Sequence, residues 1–278
     1  MKKLIIIILI AAIVVGFGFL IKDKLFSRFL EIEKGVSDLL KETERKVFLP
    51  SPLVLEQDSP DSFLSKDEII KITNVQRQKY GLAPLKENSR LDSSAEAKTE
   101  DLFLNQYFEH ESPTGIDVSD LAQKAGYEFI ILGENLAMGN FKDDEALVQA
   151  WMASPGHREN ILNSSFTEIG VSVLKGEFQG KTTWIAVQHF ALPLSACVSA
   201  SESIKTTIEA NEKEILRIEE ILNSMKDNLN TRKDVREYNS LVLQHNNLVD
   251  KNKDLIEEYN RQVGIFNQCL TEAIQESN

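Results

Sequence analysis

Three side chains that could exchange protons or bind a cation stand in short polar stretches of this 278-residue chain. His110 lies between Tyr-Phe-Glu and Glu-Ser-Pro, Glu134 lies in Gly-Glu-Asn, and His157 lies in Ser-Pro-Gly-His-Arg. The glycine and proline residues around them are typical of turns between periodic segments. Two imidazoles and a carboxylate that meet could transfer protons, hold a cation or bind a polar ligand. We therefore predict one polar cleft that contains His110, Glu134 and His157.

The order of these stretches resembles a known family. In chain order the pieces are His110, Gly133-Glu134-Asn135-Leu136-Ala137, Trp151, Ser154-Pro-Gly-His-Arg-Glu-Asn-Ile-Leu162, Ile169-Gly170-Val171 and Gln188-His189-Phe190. Together they resemble the bacterial branch of the CAP superfamily, named for cysteine-rich secretory proteins, antigen 5 and pathogenesis-related proteins. The resemblance runs from about Ser65 to Leu192. It implies an α+β fold, a three-layer α-β-α sandwich, over residues 65–196.

The resemblance also implies which residues line the cleft. The superfamily shares a cleft tetrad of two histidines and two acidic residues, and His110, His157 and Glu134 match three of its members. Counted from Trp151, the second carboxylate would stand at Ser154, so this chain departs from the pattern there. The acidic pair is incomplete, and the predicted cleft residues are His110, Glu134, Ser154 and His157.

The two cleft histidines are the candidate metal ligands. Neutral imidazoles bind zinc through nitrogen, but catalytic zinc usually has three protein ligands. His110 and His157 therefore predict weak binding of zinc or another divalent cation unless Glu134 joins them. Glu134 is also the candidate catalytic residue, because a carboxylate can act as a base on bound water. It could instead only orient an imidazole.

Other polar residues near these stretches are weaker candidates. Ser112 and Ser154 each lie close to a histidine in sequence, yet neither stands in the strand-turn-helix elbow of a serine nucleophile. We interpret both as turn or helix-end residues. Because side chains alternate along a strand, His189 and Gln188 lie on opposite faces of the last strand. We interpret His189 as a structural or surface residue.

Periodicity predicts the elements that would position the cleft. Helices are expected from a capping box at Ser65-Lys-Asp-Glu68 to Gly81, from about Ser89 toward His110, through Val118 to Ala125, and from Asp143 to Trp151. Two strands are expected at Glu168 to Leu174 and at Thr182 to Phe190.

The N-terminal part has the features of a membrane anchor. Leu4 to Ile21 is an uncharged apolar run, which as a helix would span ~27 Å, close to the thickness of a bilayer core. We predict a transmembrane signal anchor at residues 1–22, with a cleaved signal peptide as the alternative. A helical stalk is expected at 23–47 and a proline-containing linker at 48–64.

The C-terminal part, residues 197–278, predicts an antiparallel coiled-coil hairpin. Apolar residues recur at steps of three and four on both sides of a short connection at 230–234. The antiparallel register that sets Asn211 opposite Asn252 also brings Cys197 within about one turn of Cys269. A disulfide between the two cysteines is expected outside the cytosol, and two free thiols would be expected inside it.

Composition narrows the function. The net charge of −12 argues against a nucleic-acid partner, since phosphate neutralisation needs clustered lysine and arginine. The resulting prediction is a membrane-anchored, extracytoplasmic protein that binds a ligand or a cell-envelope protein through the cleft and the hairpin. A metal-assisted hydrolase, similar to a peptidase, is the alternative. A structural role with an inactive cleft is a third reading, and the oligomeric state is left open.

Overall fold

The computed structural model describes residues 46–55, 59 and 61–277. The predicted anchor at 1–22 lies outside these residues, and so does the predicted stalk up to residue 45. Among the described residues, no helix is both long and apolar enough to cross a membrane. They form two units, one of residues 46–197 with 269–277 and one of residues 198–268.

The first unit is a mixed α+β domain, as the sequence predicts. Its elements in chain order are β1 Lys46–Phe48, β2 Leu53–Val54, α1 Lys66–Lys79, β3 Lys86–Glu87, α2 Ser89–Asn105, α3 Val118–Lys124, β4 Phe129–Met138, α4 Asp144–Ala153, α5 Pro155–Leu162, β5 Glu168–Phe178 and β6 Lys181–Pro193. The six strands form one sheet in the order β1, β4, β6, β5, β3, and β2 also pairs with β4. The central strands β4, β6 and β5 are antiparallel, whereas β1, β2 and β3 run parallel to their neighbours.

Helices pack on both faces of this sheet. Leu132 and Leu136 of β4 belong to core clusters that include residues of α2. On the opposite face, Gln188 of β6 donates a hydrogen bond to Thr73 of α1, at 2.8 Å. Because side chains alternate along a strand, Glu134 points to the same face as the two leucines. The carboxylate therefore lies inside the layer between the sheet and α2.

The turn that the sequence predicts at Gly133-Glu134-Asn135 is wrong, because these residues lie in the middle of β4. The glycine has a different reason here. A Cβ atom added to Gly133 would lie 2.8 Å from Cζ of Phe166, so the ring needs the space that glycine leaves. Glycine within a strand often marks such a close approach. The strand sets Glu134 rigidly between two neighbouring strands rather than on a mobile turn.

The segment at 48–64, which the sequence predicts as a linker, contains strand structure. Phe48 ends β1 and residues 53–54 form β2, and both strands pair in parallel with β4. Pro50 and Pro52 fall between the two strands, where a missing N–H removes no hydrogen bond from the ladder. The proline residues thus interrupt the pairing without preventing it on either side.

The start of α1 is also built differently from the predicted capping box. Ser65 is the N-cap residue, but its side chain makes no capping hydrogen bond. Instead, the backbone N–H of Ser65 donates to Oδ1 of Asp144 at 2.7 Å. A residue from the first turn of α4 therefore fixes the point at which the chain enters α1.

The second unit contains two antiparallel helices, α6 Glu202–Met225 and the part of α7 Arg232–Glu276 that ends at residue 268. Nδ2 of Asn211 donates to Oδ1 of Asn252 at 3.1 Å, which confirms the predicted register. About two helical turns away, His245 Nε2 contacts Glu219 Oε1 at 3.1 Å in the buried seam. Paired polar groups of this kind can fix the register of two helices at some cost in stability.

A disulfide joins Cys197 to Cys269, with the two Cα atoms 5.8 Å apart, and this confirms the predicted pairing. The bond closes a loop with a sequence separation of 72 residues. A cross-link stabilises a fold mainly by restricting the unfolded chain, and the restriction grows with loop length.

We therefore expect Cys197→Ala/Cys269→Ala to lower the free energy of unfolding by about 4 kcal/mol, the value that the loop length gives in the chain-entropy model. Chemical denaturation of the full chain in detergent would measure the loss. Reductant should lower the stability of the wild type and leave that of the double variant unchanged. Equal stability of oxidised wild type and variant would contradict the prediction.

Candidate functional site

Glu134 is the centre of the site and is fully buried. Its Oε1 lies 2.6 Å from Nδ1 of His110, and its Oε2 lies 2.8 Å from Nε2 of His189. Burial by itself would raise the pKa of Glu134. The hydrogen bonds from the two imidazoles and the nearby positive charges outweigh it and lower the pKa to about 2. The carboxylate is therefore ionised over the physiological range of pH.

His110 comes from the loop between α2 and α3, as the sequence predicts, and both of its ring nitrogens are engaged. Nδ1 faces Glu134, and Nε2 lies 2.5 Å from the carbonyl oxygen of Pro50. Since both partners are acceptors, both nitrogens act as donors. Burial lowers the pKa of His110. The Glu134 carboxylate and the Pro50 carbonyl together raise this pKa by a larger amount, so the net shift is upward. His110 is thus held as a cation that presents one N–H to a peptide carbonyl.

Lys98 of α2 fixes the loop that carries His110. Its Nζ donates to the carbonyl of His110 at 2.6 Å and to the hydroxyl of Tyr107 at 3.0 Å. Lys98 is fully buried, and this burial lowers its pKa although Glu134 and other carboxylates oppose the shift. The sequence gives one signal of this role, since Lys98 stands among the apolar residues that face the core from α2.

His189 is the site residue that the sequence analysis missed. It is fully buried on β6, directly opposite Glu134 in the β4–β6 register. Its other ring nitrogen, Nδ1, lies 3.0 Å from Oγ of Ser94 on α2. Alternation along β6 shows that His189 faces the core, but only the register with β4 reveals which residue it meets. The contact of His189 with the carboxylate therefore could not be read from the strand alone.

His157 and Ser154 form a second pair beside the first cluster. Ser154 ends α4 and precedes α5, and its Oγ lies 2.8 Å from Nδ1 of His157. Burial lowers the pKa of His157 to about 4. The backbone of Leu136 opposes this shift and the positive charge of His110 adds to it, so this imidazole is neutral at pH 7. Its Nε2 is buried and makes no hydrogen bond of regular geometry with the described residues, although the ring lies near the backbone carbonyl of Leu136. The serine in place of the second carboxylate thus supports an uncharged histidine.

Two asparagines hold α5 against β4. Nδ2 of Asn160 donates to Oδ1 of Asn135 at 2.9 Å and lies 3.2 Å from the carbonyl of Glu134. In return, Nδ2 of Asn135 donates to the carbonyl of His157 at 3.2 Å. Both asparagines are almost completely buried. Their amides therefore set the position of His157 relative to the strand that carries Glu134.

The cluster has little access to solvent. The His110 side chain is 12% exposed, and the side chains of Glu134 and His189 are inaccessible. A cavity of about 420 Å³ lies beside α4 and α5, but it is lined by other residues. These are Met152, Ala153, Pro155, Arg158, Glu159 and Leu162. The predicted open cleft is therefore covered at the histidines.

The predicted metal ligands are not arranged as a three-ligand site. Within the described ranges, no group of three or more histidine, cysteine or acidic side chains is placed to hold a metal ion. Both oxygens of Glu134 contact imidazoles, and both nitrogens of His110 contact oxygen atoms. The residues as arranged do not fit a catalytic zinc site, which needs three free donors and an open position.

Residues 70–190 match the sequence profile of the Cysteine-rich secretory protein family, CAP. The chain contains a CAP superfamily domain. The matched segment includes His110, Glu134, His157 and His189, whereas β1 and β2 precede it.

The CAP domain also has relatives in bacteria. The uncharacterized protein YkwD of Bacillus subtilis is 44% identical over 108 residues, which are 39% of this chain and 42% of that protein. The uncharacterized membrane protein YlbC of the same species is 38% identical over 109 residues, 39% of this chain and 31% of that protein. The match thus spans less than half of each relative.

Parts of two solved structures are also similar to part of this chain. An extracellular protein containing an SCP domain from Bacillus anthracis is 32% identical, with a TM-score of 0.40, over 45% of this chain and 39% of that chain. A cysteine-rich secretory protein from Staphylococcus aureus is 23% identical, with a TM-score of 0.36, over 49% and 40% of the two chains.

The low pKa of His157 predicts a specific pH dependence of stability. A histidine whose pKa falls on folding stabilises the fold fully above its ordinary pKa of 6.5, and this contribution is lost as the pH falls toward about 4. The contribution of His110, whose pKa is raised, is complete below pH 6.5 and does not vary in that window.

Between pH 6.5 and pH 4.5 we expect the wild type to lose on the order of 2 kcal/mol more than His157→Gln, because this window covers most of the range between the ordinary pKa and the pKa of about 4 in the fold. Denaturant titrations of both proteins at several pH values would measure the difference. Parallel pH profiles for the two proteins would show that His157 does not titrate with a depressed pKa.

Proposed function

We propose that this chain is a membrane-anchored, extracytoplasmic binding protein whose CAP domain recognises a polar ligand through His110. The observation that carries the proposal is the contact of His110 Nε2 with a peptide carbonyl. Glu134 keeps the imidazole of His110 positively charged and orients its Nε2 toward the carbonyl oxygen. A charge-assisted hydrogen bond is stronger than a neutral one. Hydrogen bonding to a carbonyl is a binding task that needs no chemical step.

Two features support the location. The disulfide between Cys197 and Cys269 is typical of an oxidising compartment outside the cytosol. The apolar run from Leu4 to Ile21 has the length of a membrane span. In this proposal residues 1–22 anchor the chain and a stalk follows up to residue 45. The CAP domain begins at Lys46 with β1, and the hairpin of α6 and α7, packed as a coiled coil, binds an envelope protein.

The location predicts the outcome of protease treatment. In intact bacterial cells that express the full chain, proteinase K should digest the CAP domain while a cytosolic control protein survives. The protein should also remain with membranes after alkaline washing, since hydrophobic insertion does not depend on charge. Full protection in intact cells would refute the outward location, and a soluble form that starts near residue 23 would show a cleaved signal peptide instead.

A metal-assisted hydrolase is the second candidate, and one observation favours it. Nε2 of His157 is a buried nitrogen without a hydrogen bond of regular geometry to the described residues, and it could face a cation beside His110. The contacts that already engage Glu134 and His110 count against this function. Zinc or another divalent cation could use Glu134 only after its hydrogen bonds with the imidazoles were broken.

Zinc titration separates the two candidates. For a binding protein we expect no stoichiometric zinc binding to the detergent-solubilised full chain at pH 7.5 and no zinc-dependent cleavage of a peptide library. Stoichiometric binding that both His110→Gln and His157→Gln abolish, with cleavage that Glu134→Gln abolishes, would establish the hydrolase. Arg158→Gln, on the neighbouring surface of α5, is the matched control and should change neither readout.

A further inference from the structure

Residues 46–55, here called the strap, lie along the edge of the CAP domain sheet and precede the segment that matches the family. Lys46–Phe48 and Leu53–Val54 pair with β4 in parallel, from Ile131 to Gly133 and from Ala137 to Met138. The four residues between the two strands pass beside Glu134 and Asn135 without ladder pairing. The strap therefore spans the part of β4 that carries the site.

The strap contacts the site through its main chain. The carbonyl of Pro50 accepts the hydrogen bond of His110 Nε2 at 2.5 Å. The carbonyl of Phe48 accepts from Nδ2 of Asn160 at 3.2 Å. These two donors and the edge of β4 contact backbone atoms, which every polypeptide has.

Two shape features add a preference for particular side chains. A Cβ atom added to Gly156 on α5 would lie 2.7 Å from Cβ of Pro50, so the missing side chain leaves room for the proline ring. The ring of Phe48 packs edge-on against Phe166, with centroids 5.9 Å apart. The remaining strap residue of this stretch, Leu49, is exposed and contributes little to the fit.

The strap contributes shorter strands to the sheet than its neighbours do. It adds strands of three and two residues, whereas β4, β5 and β6 have ten or more. Short edge strands contribute few hydrogen bonds and open locally at a low free-energy cost. Addition of an extended segment to an exposed sheet edge is a common way to bind a peptide.

We propose that the groove formed by the β4 edge, His110, Gly156, Asn160 and Phe166 is a binding site for an extended polypeptide segment of a partner protein, and that the strap is its internal, displaceable occupant. The partner segment carries an aromatic residue and, two positions on, a proline, at the positions of Phe48 and Pro50. The proposal deepens the binding function proposed above and rests on it. The strap competes with the partner for the groove. The apparent affinity for the partner is therefore the intrinsic affinity multiplied by the fraction of molecules in which the strap has left the groove.

A synthetic peptide with the sequence of residues 46–55 and an N-terminal fluorescein is the probe. It is titrated by fluorescence anisotropy into the full chain in detergent. Phe48→Ala weakens the strap and leaves the groove intact, so the peptide should bind it about tenfold or more tightly than it binds the wild type. Leu49→Ala removes an exposed side chain from the same strap and is the matched control, with binding equal to that of the wild type.

Two further changes test the groove itself. In the Phe48→Ala background, Asn160→Ala should weaken peptide binding by about tenfold, the loss of one buried hydrogen-bond donor. A peptide with alanine in place of both the phenylalanine and the first proline should also bind at least tenfold more weakly. Unchanged binding after either change would overturn the assignment of the groove.

Hydrogen exchange on the wild type keeps the test independent of any variant. Saturating peptide should accelerate exchange of the backbone amides at residues 46–54, because the strap must leave the sheet, while amides of β4 and β6 remain protected. The fluorescein shifts the mass of the probe and separates its fragments from those of the chain. Absence of peptide binding to Phe48→Ala, or unchanged strap exchange at saturation, would overturn the proposal.

The fate of the peptide separates this proposal from the one on which it rests. An intact peptide after incubation supports both the groove and a binding function. A cleaved peptide supports the groove and refutes the binding-only function. Lack of peptide binding together with lack of zinc-dependent cleavage refutes the groove alone. Dimers that form through exchange of straps in the absence of peptide would identify a second copy as the occupant and contradict a separate partner.

Discussion

The structure of the CAP domain depends on one buried negative charge. An ionised carboxylate without partners in a protein interior is very unfavourable, and the loss of one partner from a buried pair typically costs about 3 to 5 kcal/mol. Glu134 is stable there because His110 and His189 approach it from two different elements, a loop and a strand. The packing of α2, β4 and β6 must therefore bring three distant parts of the sequence to one point. The same requirement explains why Lys98, which restrains the loop, is buried in a core helix.

Charge also separates the two cleft histidines into different roles. His110 is adjacent to the carboxylate and is held as a cation. His157 lies beside an uncharged serine instead and is kept neutral by burial and by the charge of His110. A donor with a fixed proton and a neutral imidazole are both useful for ligand recognition. The different charge states of the two histidines depend on Ser154, because a carboxylate at this position would favour a positively charged His157.

Local signals in the sequence predicted much of this architecture. Apolar periodicity located α1 to α4, the hairpin helices and the last two strands, but not α5, and the seam register of the hairpin located the disulfide. The sequence could not show that Gly133 leaves space for the ring of Phe166 rather than forming a turn, because Phe166 lies over thirty positions away in the chain. The contact between His189 and Glu134 depends on strand register, and the path of the strap depends on parallel pairing across more than eighty residues. Contacts of that range leave no periodic pattern in either segment.

The disulfide has a topological consequence. It joins Cys197, at the end of the CAP domain, to Cys269 within α7, so residues 198–268 are enclosed in a covalent ring. A protease that cuts the connection between α6 and α7 would open this ring without separating the chain into two molecules. The enclosed helices can thus be nicked at their tip while both halves stay attached to the domain, and only subsequent reduction would release the C-terminal piece.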